Sequence, residues 1–468
     1  MPRADISRRR FLANASAAAS GLGLAAAVAR GAPGANERMS IGIIGCGGRG
    51  TDHMQSIIRF AEKQNARITA VCDVWKVNLE RAAAAAAKAF GEEPRKFTRF
   101  GEMLELKDLH GVTIATPDFS HGPILVAALK AGKDVYIEKP MTIQLSYAND
   151  ALDLARKNDC VVQCGTQYRS QPVLIGVAKE VAAGAVGKIS RVSSAVSFNH
   201  PRWKRNEQNC QAADVDWDAY LLDLPKRPFD ASLLREWQIH DETSNGLPGL
   251  WMTHYVDATA MMMNAKYPST GAAHGGTYVW KDGREHTDTI TVLLGYPEGF
   301  LFDWAMSLGT NADWRYCIYG VDGTIEPQGN PSLAGNDWQV SARGGTKESK
   351  VATRKIEPVP VNDHMENWLE CMRSRQRPRA DIQFGHQHAV ASILSATALT
   401  SGKRQKYDPA TRTISPACAG DDAETPATAG KLRRGERQSG VENLPAVRRC
   451  SGIVVRNDTK TEGRRQLL

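Results

Sequence analysis

The 468-residue sequence has no run of the roughly 20 strongly apolar residues that a membrane-spanning helix requires. A permanent span is therefore not expected. The nine cysteines are scattered and odd in number, and although Cys160 and Cys164 lie close together, no second pair or histidine cluster follows at zinc spacing. The pattern predicts buried free thiols and no metal site, and it names no disulfide pair. The chain also lacks a basic body. Lys and Arg outnumber Asp and Glu by 59 to 51, yet residues 1–38 hold six basic residues against two acidic ones and residues 431–468 hold ten against four. The ends thus carry +4 and +6 of the +8 total, leaving residues 39–430 at about −2. Without a basic footprint there, nucleic acid is excluded as a partner. With 42% hydrophobic and 24% charged residues, the length suffices for two globular domains with ample core.

Among the positive signals, the strongest is the apolar run Ile41-Gly42-Ile43-Ile44, which feeds into Gly45-Cys46-Gly47-Gly48-Arg49-Gly50 and then into helix-like sequence. This is the layout of a dinucleotide-binding turn. Gly45 permits the tight strand-to-helix turn, Gly47 keeps side-chain atoms off the pyrophosphate path, and Gly50 lets the helix lie against the sheet. The phosphates would meet free N–H groups at the helix start. A second apolar run, Ile68 to Cys72, ends in Asp73, 23 residues after Gly50, where a carboxylate would hydrogen-bond a ribose 2′-hydroxyl and repel a 2′-phosphate. NAD is favoured over NADP on that ground, with Lys76 near enough in sequence to soften the preference.

Ahead of this lies Ser7-Arg8-Arg9-Arg10-Phe11-Leu12, a twin-arginine pattern followed by an Ala/Gly/Leu-rich run from Ala13 to Ala29. Residues 1–38 read as an export signal of the twin-arginine route, which carries folded proteins and implies a periplasmic destination. A nucleotide used there would have to stay bound.

Strand and helix signals alternate up to about residue 165, with further strands at Gly111–Thr116, Asp134–Ile137 and Val161–Cys164 and a helix over Pro123–Ala131. Alternation of this kind predicts a parallel, doubly wound sheet with ligands at the strand C-terminal ends. Thr116, Pro117 and Lys139 sit at such ends. From residue 166 to 415 the runs Ile189–Val196, Thr277–Trp280, Thr287–Leu294 and Phe300–Trp304 predict a large, mainly antiparallel open sheet, one face covered by helices and the other free for self-association. Helices at about His364–Arg373 and His386–Leu399 should pack back on the first domain. Residues 416–468 lose periodicity, turn Arg-rich, and read as a disordered tail. The fold class is thus α/β, a Rossmann domain over 39–165 followed by an α+β domain over 166–415.

Taken in order, the Gly45–Gly50 turn, Thr116-Pro117-Asp118 with His121, Glu138-Lys139-Pro140, Gly184-Ala185-Val186-Gly187-Lys188, and His254 with Asp257 resemble the Gfo/Idh/MocA oxidoreductases, over about residues 39–415. The resemblance implies a Rossmann domain, an open-sheet second domain used to dimerise or tetramerise, and oxidation or reduction of a sugar, polyol or related carbohydrate with NAD(P). By the resemblance, Gly45, Cys46, Gly47, Gly48, Arg49, Gly50, Asp73, Thr116, Pro117, His121, Glu138 and Lys139 hold the cofactor, and Lys139, His254 and Asp257 serve catalysis.

Oxidising an alcohol needs a proton acceptor and positive charge beside the developing alkoxide. Lys139 can supply the charge and His254 can take the proton. Arg169, Tyr168, His254 and Trp203 are the expected substrate contacts, Trp203 because an aromatic face can stack on a sugar ring; the stretch Asn199–Arg205 around it could equally be loop packing or an oligomer contact. One position departs from the family's pattern, which often places an acid four residues before the catalytic histidine. Here it is Leu250. Either Asp257, Asp241 or Glu242 substitutes, or the chemistry differs, and two alternatives stay open: an NAD-assisted glycosidase or lyase without net redox, and a catalytically silent carbohydrate-binding protein of the same fold.

Overall fold

The computed structural model describes residues 37–205, 209–418 and 421. The export-signal residues 7–29, and the tail apart from 416–418 and 421, lie outside the described residues. The first sheet contains β1 (Met39–Ile44), β2 (Ala66–Cys72), β3 (Arg95–Phe97), β4 (Gly111–Ile114), β5 (Asp134–Ile137) and β6 (Val162–Cys164), all parallel, in the order β3-β2-β1-β4-β5-β6. Every residue of β1, β4, β5 and β6 is buried, which is why these strands are near-continuous apolar runs rather than alternating ones. The chain winds outward from β1 to β3 and then returns to place β4 on the other side of β1. The strand order reverses there, so the crevice beyond the C-terminal ends of β1 and β4 is where a ligand belongs.

Helices α1 (Gly48–Phe60), α2 (Lys76–Phe90), α3 (Asp118–Lys130) and α4 (Leu145–Lys157) flank this sheet. The start of α3 corrects the sequence reading. It begins at Asp118, directly after Pro117, and Pro123 lies inside it. A proline so near a helix start deletes few bonds, and burial of Asp118 to Gly122 against the crevice outweighs its local cost.

The second sheet has ten strands: β7 (Ile189–Ser197), β8 (Thr270–Gly276), β9 (Thr289–Tyr296), β10 (Phe300–Ser307), β11 (Arg315–Gly320), β12 (Thr324–Pro327), β13 (Trp338–Ser341), β14 (Arg354–Lys355), β15 (Gln405–Asp408) and β16 (Thr413–Pro416). Their order is β14-β13-β12-β11-β7-β10-β9-β8-β15-β16, antiparallel except for the β7–β10 pair. Thr277–Trp280, expected as a strand, is a loop instead. The Asp288 carboxylate accepts the N–H groups of Tyr278, Val279 and Trp280 at 2.8–3.1 Å, taking donors that a ladder would need. On one face, Val192, Val292, Phe302 and Trp304 pack with α5 (Pro172–Ala182), α6 (Thr253–Met262) and α8 (Ile382–Ser401). The other face exposes Leu293 and Leu301.

Two late helices close the first domain's core. Met365, Trp368, Leu369 and Met372 of α7 (His364–Ser374) are buried in one cluster with Met39, Ile41 and Ile43 of β1, and Ile382, Ala389 and Ile393 of α8 join the cluster beneath β4 and β5. No helix among the described residues is long and apolar enough to cross a membrane. The eight described cysteines are free thiols, six of them buried.

Candidate functional site

A cavity of about 950 Å³ runs from the Gly45 turn, across the ends of β1, β4 and β5, to the start of α6. At one end the three motif glycines are used differently. Gly45 has φ +84°, and an added Cβ would lie 2.7 Å from the Ala115 carbonyl oxygen; one on Gly50 would lie 1.9 Å from the Gly45 carbonyl oxygen. Both are closed against protein. A Cβ on Gly47 would meet only the Asn78 amide nitrogen, at 4.0 Å, and otherwise point into the open cavity. That open space over a helix N-terminus is what a pyrophosphate needs.

Asp73 lies at the end of β2 and holds the turn, its Oδ2 accepting the Cys46 N–H (2.7 Å) and its Oδ1 the Trp75 N–H (2.8 Å). Burial pushes its carboxyl up, against the pull of those bonds. Gly45, Gly47, Gly48, Arg49, Asp73, Thr116, Pro117, His121, Glu138 and Lys139 all line the cavity. Cys46 and Gly50 do not: the Cys46 thiol turns to the Cys72 carbonyl (3.6 Å), and Gly50 is packed on Gly45. These residues fit a dinucleotide.

His121 bridges the two loops that follow β4 and β5, its Nδ1 2.7 Å from the Pro140 carbonyl and its Nε2 2.8 Å from that of Thr116. It is therefore a clamp rather than a reactive group. Glu138 is similarly committed. Its Oε1 accepts from Arg49 Nε (2.7 Å), His53 Nε2 (3.0 Å) and Gln167 Nε2 (3.3 Å). Burial would raise its pKa, but the His53 bond and the Arg49 charge hold it well below the usual carboxylate range.

Lys139 reaches the other way and donates to the Leu250 carbonyl at 2.7 Å. Burial pushes this ammonium down, opposed by the charges of Asp118 and Glu138. Asp118, first residue of α3, is pushed up to about 7 by burial, with Lys139 and the Ser244 hydroxyl (3.3 Å) restraining the rise. His254 also lines the cavity and is pushed down to about 3 by burial and by Lys139. Thus a lysine with a weakened hold on its proton, a neutral histidine and a carboxyl poised near neutrality converge on one space. A π-turn over Pro248–Met252 widens the helix just before His254 and presents the Leu250 carbonyl to Lys139.

Other expected site residues lie elsewhere. Asp257 and Arg169 do not line the cavity; they form a buried ion pair, Arg169 Nε to both carboxylate oxygens at 2.8–2.9 Å, with the guanidinium carbon 3.8 Å above the Phe384 ring. Although i,i+3 spacing on α6 puts Asp257 on the same side of the helix as His254, its carboxylate is held by Arg169. Tyr168 touches His254 edge-on, centroids 5.7 Å apart, from outside the cavity lining. Neither Asp241, paired with His286, nor Glu242, paired with Arg227, replaces the acid absent at Leu250. The carboxyl facing Lys139 is Asp118, quoted in the sequence only as part of a loop motif. Trp203 does line the cavity, at φ +73°, a conformation that costs an aromatic residue energy. Arg202, in the same Asn199–Arg205 stretch, lines the cavity as well.

With this geometry in view, residues 39–166 match the Gfo/Idh/MocA family, described as an oxidoreductase family with an NAD-binding Rossmann fold. The match takes in the first sheet and the glycine turn, so this domain is similar to that family's Rossmann domain. Similar curated proteins include an inositol 2-dehydrogenase of Corynebacterium glutamicum, 31% identical over 155 residues (33% of this chain, 44% of the relative), and an alpha-N-acetylgalactosaminidase of Shewanella oneidensis, 24% identical over 190 residues (39% and 40%). The matched stretch spans well under half the length of either. The likeness in fold extends further: an aldose-aldose oxidoreductase of Caulobacter crescentus, complexed with glycerol, superposes over 79% of this chain and 100% of its own, with TM-score 0.60 and 20% identity. At that identity the likeness is one of fold, and it takes in most of the chain.

Proposed function

We propose that the protein is an NAD(P)-dependent oxidoreductase acting on a carbohydrate. The observation that carries this reading is the convergence of Lys139, Asp118 and His254 on the cavity that begins at the Gly45 turn. Bound nicotinamide would supply a two-electron hydride acceptor. On this chain's side, the hydroxyl proton would pass to Lys139 in its neutral form or to His254, with the Leu250 carbonyl and Asp118 orienting the lysine. His254, neutral throughout the working range, can accept a hydrogen bond from the hydroxyl, and the Lys139–Asp118 couple holds the proton.

NAD is the nucleotide we favour, a reading supported by the Asp73 carboxylate at the end of β2 in the cavity lining, which would repel a 2′-phosphate. Tight retention is supported by residues 209–240, which cross the adenosine end as a strap. Val215 bridges Trp75, the Asp216 N–H donates to the Val74 carbonyl (2.8 Å), and the Arg235 guanidinium lies 4.8 Å over the Trp75 ring. Tyr220, Leu222 and Gln238 of the strap line the cavity. A bound nucleotide would also suit export by the twin-arginine route to the periplasm, as the Ser7–Leu12 pattern suggests. The face carrying Leu293 and Leu301 is the surface we assign to self-association.

A second reading has support from the similarity to the galactosaminidase: a glycosidase or lyase in which the nucleotide returns unchanged. One experiment separates them. The purified holoprotein is denatured, the released nucleotide identified by mass, and turnover followed by nicotinamide absorbance. Stoichiometric NAD with a net absorbance change supports the oxidoreductase; turnover without net change supports the glycosidase; absence of nucleotide and of nucleotide binding overturns both.

A further inference from the structure

Arg202 stands at the reactive end of the cavity, near enough to Lys139 for its charge to help depress the lysine. Most of the cations around the cavity are committed to a partner. Arg49 pairs with Glu138, Arg99 with Asp216, Arg81 donates to the Cys46 carbonyl (2.8 Å), and Lys139 to the Leu250 carbonyl. Arg202 differs. Its guanidinium carbon lies 4.4 Å from the Phe198 ring centroid and 5.0 Å from that of Trp251, with Trp203 at 5.9 Å. Its Nε is buried without a hydrogen-bond partner, and no carboxylate among the described residues pairs with the group. Burial alone accounts for the downward push on it.

The backbone fixes this arrangement. The Arg202 carbonyl accepts from Arg284 Nη2 (3.3 Å), its N–H donates to the His200 carbonyl (2.8 Å), and Trp203 follows at φ +73°. An unpaired guanidinium on an aromatic bed is held facing the substrate space. The charges opposite do not cancel it: Glu138 is taken up by Arg49 and His53, and Asp118 is only a partial counter-charge near neutrality. A reactive end with surplus positive charge calls for one more anion, and the planar fork of a guanidinium matches a carboxylate.

We propose that the substrate is a sugar acid, its carboxylate seated on Arg202 while the reacting hydroxyl faces Lys139 and His254. This rests on the carbohydrate oxidoreductase reading and narrows it. Binding to the full-length holoprotein is measured by calorimetry for D-glucuronate and D-galacturonate against D-glucose and D-galactose at one ionic strength, with nucleotide content determined by mass in each sample. The acids should bind about 10- to 100-fold more tightly. Arg202→Gln should bring the acid-to-neutral ratio near unity without loss of nucleotide, and Arg202→Lys should restore part of it. Equal binding of acid and neutral sugar, no binding of either, a preference unchanged in Arg202→Gln, or tighter binding of glucose 6-phosphate than of glucuronate would each overturn the proposal. Absence of any acid preference in a wild-type protein that retains nucleotide counts against the Arg202 site alone, whereas a wild-type protein unable to bind nucleotide removes the oxidoreductase reading while the calorimetric ratio still decides the anion site.

Discussion

Lys139 is suited to the proton-handling role proposed for it because burial weakens its grip on a proton while Asp118 and Glu138 oppose that loss. Replacing it with methionine keeps the bulk and removes the ammonium. Turnover in Lys139→Met should fall by about 10²- to 10⁴-fold, the usual contribution of a positioned acid or base, while nucleotide recovered by mass stays unchanged. A second expectation concerns pH. His254 is held near 3, and His364 and His386 near 4, by burial. Between about pH 6.5 and 4 the unfolded chain binds more protons at these positions than the folded one, so stability should fall as pH drops through that window. Asp118, raised to about 7, works oppositely and lowers stability as pH rises from its ordinary 3.8 toward 7. Urea midpoints at pH 4.5, 6.5 and 8 should show a shallower acid loss in His254→Gln than in the wild type, and in Asp118→Asn a relative gain at pH 8 over pH 4.5; parallel curves would contradict both. Lys139, His254 and Trp203 were legible because each follows a recognisable strand, helix or aromatic pattern. The Asp118 role was not, since only the pairing of β4 with β5 brings the two loops together, and a main-chain acceptor such as the Leu250 carbonyl leaves no trace in side-chain identity.

Among the elements, the β1–α1 turn offers the sharpest test, because two glycines of one motif fail for different reasons. Gly47→Ala adds a methyl group to open cavity, so with nucleotide removed from both it should melt as the wild type does, yet it should hold far less nucleotide. Gly50→Ala drives a methyl group into the Gly45 carbonyl and should cost about 1–3 kcal/mol or more of stability, visible as a lowered urea midpoint. If both variants melt alike, the assignment of roles is wrong. The buried parallel strands were readable from their unbroken apolar runs. The short strands β3 and β12 to β16 were not, since runs of two to four residues carry no period, and the 277–280 run failed because Asp288, a neighbour in space across the loop, claims its donors.

Considered as a whole, the molecule has two sheets but does not divide into two segments of sequence. The family match ends at residue 166, whereas Trp368 and Met372 lie in the core beside β1 and the Gln163 amide donates to the His364 carbonyl. A fragment of residues 39–166 should therefore expose the seat of α7, bind dye as a loosely packed species and hold no nucleotide, while a chain reaching residue 418 should fold cooperatively; a native-like fragment would refute this.

The seat of α7 also sets a schedule. At ordinary elongation rates of about 5–20 residues per second, some 200 residues separate synthesis of the first sheet from synthesis of the helix that seals it, an interval of about 10–40 seconds. For that time the nascent first domain stands with an uncovered apolar flank, and a nucleotide reaching it early would meet a core that α7 and α8 have yet to close.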